Sequence, residues 1–127
     1  EWHFTLDPCC THDNAKCEKH YTKSDNGLAQ DWSGERVFLN PPYSRGFLAR
    51  AVEKAASERN SAAVIVGLLP DARDTGWWRR WVAPFATDYP IGRVRFLRED
   101  GTPGDAPPGG SVVVVWLPDF LNGGERA

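Results

Sequence analysis

The stretch "VFLNPPYSRGF", residues 37 to 47, constrains the fold more than any other part of the chain. Val37-Phe38-Leu39 reads as a strand, and two consecutive prolines cannot continue it, because each lacks a backbone donor and fixes φ. The strand therefore stops at Asn40. Residues 61 to 70, "SAAVIVGLLP", form a continuous apolar run ended by proline, as expected of a strand buried on both faces of a parallel sheet. Between the two lies "SRGFLARAVEKAASERN", where Phe47, Leu48, Ala51, Val52, Ala55 and Ala56 make one apolar helical face and Ser44 can cap. The expectation is a strand, helix, strand unit with a right-handed crossover.

The remaining segments extend this pattern. "HFTLDP" at 3 to 8 reads as an earlier short strand. "DARDTGWWRRWV" offers Asp74 or Thr75 as the cap of a short helix whose Trp77, Trp78 and Trp81 read as core. "GRVRFL" at 92 to 97 and "SVVVVWL" at 111 to 117 are β-rich and separated by the turn-forming "REDGTPGDAPPGG", which predicts a terminal antiparallel hairpin. No internal repeat is visible. The order predicts an α/β fold, a mostly parallel open sheet closed by an antiparallel hairpin, with ligands beyond the strand carboxyl ends. Asp7 and Asn40 both fall at such ends.

A chain of 127 residues suits one domain, residues 1–127. No apolar run approaches the roughly 20 residues that span a bilayer and no signal peptide opens the sequence, so the expected location is cytoplasmic. The chain contains no methionine and opens inside a strand pattern, which reads as a piece of a longer gene product lacking an N-terminal segment. Net charge is −2, yet residues 36 to 98 carry a net +6 and the segments on either side −4 each. Arg73, Arg79, Arg80, Arg93, Arg95 and Arg98 lie in that basic stretch. They could face a polyanion, or Arg93 and Arg95 could pair with neighbouring carboxylates along a strand.

Asn-Pro-Pro-Tyr has a definite chemical capacity. A side-chain amide and a tertiary-amide carbonyl at a strand tip can both accept hydrogen bonds from one amino group, and the prolines hold the carbonyls in fixed directions. Tyr43 adds a flat surface for an aromatic base, worth roughly 1–3 kcal/mol by analogy with single-strand binders. Together these describe a site for a planar amine. A competing pattern is Cys9-x-x-His12 with Cys17-x-x-His20, which on spacing could supply four zinc ligands. The two pairs are separated by only four residues and the first begins at a strand end, which favours three semi-buried thiols and no metal. An odd cysteine count also argues against a disulfide framework.

The series "FTLDPCC", "NAKCEKHYT", "DNGLAQDW", "RVFLNPPYSR", "LLPDARDTGWW" and "GRVRF" resembles, in order, the phage-type DNA N6-adenine methyltransferase family. The resemblance implies a Rossmann-like fold, S-adenosylmethionine as methyl donor, adenine N6 in DNA as acceptor, and a bacterial or phage-infected cell. It implies a catalytic motif at Asn40, Pro41, Pro42 and Tyr43. It also implies cofactor contacts at Asp7, Pro8 and Cys9, with Asp25 and Leu28 holding the cofactor's adenine. Two departures are expected to matter: "LDPCC" lacks the glycine-rich turn of many methyltransferases, and the family's upstream segment that closes the cofactor pocket is expected to lie outside this sequence. The same tetrapeptide serves methyltransferases acting on protein glutamine or ribosomal RNA, and a catalytically silent nucleic-acid or zinc-binding module is a third reading. Sequence specificity would come from the loops "TDYPIGR" and "REDGTPGDAPPGG".

Overall fold

The computed structural model describes residues 3–10, 14–44, 46–92 and 110–122. The expected strand, helix, strand unit is present as β1 (Arg36–Leu39), α1 (Phe47–Glu58) and β2 (Val64–Pro70). β1 and β2 run parallel, with Val37 beside Ile65 and Leu39 beside Gly67. Two further strands, β3 (Ala86–Gly92) and β4 (Ser111–Trp116), complete a four-stranded sheet in the order β1-β2-β4-β3. Both pairs made by β4 are antiparallel.

The sheet is therefore mixed, and the mostly parallel arrangement expected from the sequence holds only on the β1 side. There the segment before β1 adds to it: Leu6 bridges Val37 in parallel, with Thr5 N–H donating to the Arg36 carbonyl at 2.8 Å and Phe38 N–H to the Leu6 carbonyl at 2.9 Å. The closing pair also differs from expectation. β4 pairs with residues 86–92 rather than 92–97, so "TDYPIG", expected as a loop, is strand, and residues 93–109 lie outside the described residues. Pro90 made this segment look like a turn. β3 is the terminal strand of the described sheet, and the register shifts between Pro90 and Gly92, two circumstances in which a strand tolerates proline.

α1 buries the predicted face: Leu48, Ala51, Val52, Ala55 and Ala56 are buried and Phe47 is half-buried. Its start is a correction. The residue preceding the helix is Gly46 at φ 83°, a left-handed geometry that glycine adopts without a Cβ penalty, and no side chain caps the end. Ser44, the expected cap, contributes its carbonyl to Leu48 N–H instead. Trp78 is buried, and Trp77, Trp81 and Phe85 pack on the same core with Trp32 and Trp116, so the tryptophan cluster is structural. Residues Trp78–Val82 form a π-helical turn, and the Trp81 carbonyl accepts from the Trp116 indole at 3.0 Å. Thr75 Oγ1 accepts from Trp78 N–H at 3.4 Å and thus meets the expectation of a threonine cap. β2 is buried on both faces, against α1 on one side and within a smaller Val64, Val66 and Val115 cluster on the other. Among the described residues no helix is long and apolar enough to cross a membrane.

Candidate active site

Parallel pairing explains how two distant motifs meet. Leu6 and Val37 are neighbours running in the same direction, so the chain leaves both strands at the same end: Asp7-Pro8-Cys9 from one, Asn40-Pro41-Pro42-Tyr43 from the other. A concavity of about 920 Å³ opens there. Pro8, Cys9 and Cys10 line it with Thr22, Lys23, Asn26 and Gly27 from the adjoining segment, and Asn40 through Ser44 with Phe47 contribute the rest of the described lining apart from Asn14. Pro41 is buried and anchors the turn, whereas Pro42 and Tyr43 are exposed. The Tyr43 hydroxyl donates to the Leu68 carbonyl at 3.2 Å, which ties the ring to β2. Burial raises the Tyr43 pKa, so the hydroxyl stays protonated at neutral pH.

Asp7 is 2% exposed and sits just before the lining residues rather than among them. Its Oδ2 accepts from Lys16 N–H at 2.8 Å, while Oδ1 finds no partner among the described residues. Desolvation raises the carboxyl above its ordinary value, partly opposed by the backbone N–H groups of Lys16 and Cys9. Burial with a carboxylate neighbour also pushes Cys9 up to about 12 and Cys10 to about 11. Both thiols are therefore neutral lining rather than nucleophiles.

The wall carrying Pro8 depends on a backbone approach. A Cβ on Gly27 would lie 2.0 Å from the Pro8 carbonyl oxygen, so only glycine fits against residue 8 there. The Gly27 carbonyl in turn accepts from the buried Trp32 indole at 3.1 Å, and Trp32 N–H donates to Glu58 at 3.0 Å, which fixes the turn against α1. The glycine-rich turn missing from "LDPCC" thus has a counterpart supplied from another segment. Sequence reasoning passed over Gly27, Thr22, Lys23 and Asn26; "DNGL" was the available signal, and it drew attention to Asp25 and Leu28 instead.

Asp25 and Leu28 do not line this concavity. Asp25 Oδ2 accepts from the Thr22 backbone N–H at 2.8 Å and hydroxyl at 3.1 Å. Leu28 packs on the core and lines a separate shallow hollow beside α1. Arg73 is engaged by Asp71 and Asp88 and lies 5.0 Å over the Trp78 ring, so its charge is largely spent within the fold. Arg79 and Arg80 are exposed, with Arg79 donating to the Asp74 carbonyl at 2.7 Å; Arg93, Arg95 and Arg98 lie outside the described residues. So does His12. Among the described residues no group of three or more histidine, cysteine or acidic side chains could hold a metal, and His20 Nδ1 lies against the Cys17 and Glu18 carbonyls.

Comparison with known proteins bears on the same motifs. Over 78 residues, 59% of this chain and 31% of the relative, the sequence is 37% identical to a DNA N-6-adenine-methyltransferase of Escherichia phage T1. Over 67 residues, 51% of this chain and 39% of the relative, it is 30% identical to a DNA N-6-adenine-methyltransferase of Haemophilus phage HP1. A 47-residue stretch, 32% of this chain and 50% of the relative, is 51% identical to the YfdM protein of Escherichia coli K12. The matched regions span between about a third and a half of the length of these relatives. A family model described as DNA N-6-adenine-methyltransferase (Dam) matches residues 1–121, and the chain belongs to that family.

Proposed function

We propose that the chain transfers a methyl group from S-adenosylmethionine to the N6 amino group of an adenine in DNA. The observation that carries this reading is the convergence of Asn40-Pro-Pro-Tyr43 with Pro8 and Cys9 on one concavity at the ends of adjacent parallel strands. Family membership and the names of the two phage relatives support the substrate. The β1-α1-β2 unit, with its site beyond the strand ends, is consistent with a Rossmann-like arrangement.

The residues fit the cofactor on two counts. Asp7 holds a buried carboxylate oxygen with no partner among the described residues, which suits the ammonium of an amino acid; Gly27 and Pro8 leave backbone and small side chains on the wall, which suits a flat nucleoside. When bound, S-adenosylmethionine supplies an electrophilic methyl group on sulfonium. Asn40 and the tertiary-amide carbonyls beside it accept from the adenine amino group, localise its lone pair and aim it inward. Tyr43, tethered through its hydroxyl, offers its ring to the base, which must leave the duplex stack to enter. No carboxylate is among the described lining residues and the lining thiols are protonated, so catalysis by the described residues rests on alignment and acceptor hydrogen bonds, with the amine's proton leaving after transfer. Arg79 and Arg80, exposed on the π-helical turn, would meet phosphates.

The test is Asn40→Ala. Loss of one hydrogen bond made at the reacting group costs at least about tenfold in turnover, and the expected outcome is near-abolition of transfer with S-adenosylmethionine affinity and thermal stability retained. Transfer above about a tenth of wild type would remove Asn40 from the reaction.

A further inference from the structure

Among the described residues, the lining of the concavity carries almost no formal charge. Among its described lining residues Lys23 is the one ionised side chain; the rest are prolines, amides, hydroxyls, a glycine, aromatic rings and protonated thiols. Lys23 belongs to the wall that carries Asp7. Tyr21 N–H donates to the Asp7 carbonyl at 3.0 Å and Cys10 N–H to the Tyr21 carbonyl at 3.3 Å, so residues 20–23 run beside residues 7–10. Lys23 makes no ion pair among the described residues, and the adjacent carboxylate, Asp25, is turned onto Thr22. Among the described residues, an ammonium with no ion pair thus lines the cavity, and an under-bonded buried carboxylate lies directly behind the same wall, a pattern complementary to a zwitterion.

Resting on the cofactor reading above, we infer that Lys23 pairs with the α-carboxylate at the amino-acid end of S-adenosylmethionine, while Asp7 meets its ammonium. This placement points the nucleoside toward Gly27 and Asn26 and leaves the Asn40 side of the cavity to the acceptor base. Lys23 is exposed, so its replacement disturbs no packing.

The experiment is calorimetric titration of the wild-type chain and Lys23→Gln with two ligands, S-adenosylmethionine and 5′-methylthioadenosine, which keeps the adenosine and sulfur but lacks the amino-acid end. Lys23→Gln is expected to weaken S-adenosylmethionine on the order of tenfold, the size of one partly exposed charge-assisted contact, and to leave 5′-methylthioadenosine unchanged. Equal affinity of both proteins for S-adenosylmethionine, or equal loss of both ligands, overturns the assignment. A variant that loses only DNA affinity gives Lys23 to a phosphate and overturns it too. A wild-type chain that binds neither ligand removes the cofactor reading itself, a result distinct from the others.

Discussion

Asp7 shows how a binding residue can weaken the fold that carries it. Its carboxyl is raised above the ordinary 3.8 by desolvation, so the folded chain keeps a proton that the unfolded chain has already lost. The sign follows: Asp7 costs the fold nothing below the unfolded value, and its cost grows as pH rises through the folded value. Asp7→Asn is therefore expected to melt at the same temperature as wild type in acid and above it at neutral pH, while losing S-adenosylmethionine affinity. Melting curves of both proteins across pH check this, and a variant less stable than wild type at neutral pH would make Asp7 a structural residue. Ammonium binding at Asp7 should also lower its pKa, so wild-type cofactor affinity should rise with pH through the folded value. Gly27 is the second position where one atom decides the outcome. Gly27→Ala places a methyl group on the Pro8 carbonyl and should cost about 1–3 kcal/mol or more, read by denaturant unfolding, together with cofactor affinity. An unchanged midpoint would show that the two segments separate freely.

At the scale of elements, legibility followed locality. β1, α1 and β2 were readable because an uninterrupted apolar run, a helical stripe and proline punctuation are all encoded within the element itself. β3 was not, because Asp88, Pro90 and Gly92 are turn formers that become acceptable only at the sheet margin and beside a register shift, which are tertiary facts. The candidate site divides the same way. Asn40 to Tyr43 declared itself through two prolines at a strand end, whereas Gly27 and Lys23 join the wall because residues 20–23 and 27 approach residues 7–10, and no periodicity reports that approach. The π-helical turn is where the remaining arginine question sits. Arg73 is bound to Asp71 and Asp88, so of the six arginines named above Arg79 and Arg80 are the described ones left to meet DNA. Arg79→Glu with Arg80→Glu should weaken DNA binding and flatten its salt dependence, since contacted phosphates release counterions, while S-adenosylmethionine affinity stays constant. An unchanged salt slope would mean that this turn does not face DNA.

Across the whole molecule, the parallel side of the sheet carries the chemistry and the antiparallel side carries the tryptophan-rich core. Leu6, β1 and β2 deliver two motifs to one end, while β3 and β4 bury Trp116 and close the sheet without lining the concavity. That division makes the central claim a statement about product chemistry. The direct measurement is to incubate the chain with S-adenosylmethionine carrying a tritiated methyl group and with DNA, digest the DNA to nucleosides, and identify the labelled one by chromatography and mass spectrometry. The account predicts label in N6-methyldeoxyadenosine, lost in Asn40→Ala. Label confined to cytosine, or found only when RNA or protein replaces DNA as acceptor, would contradict it.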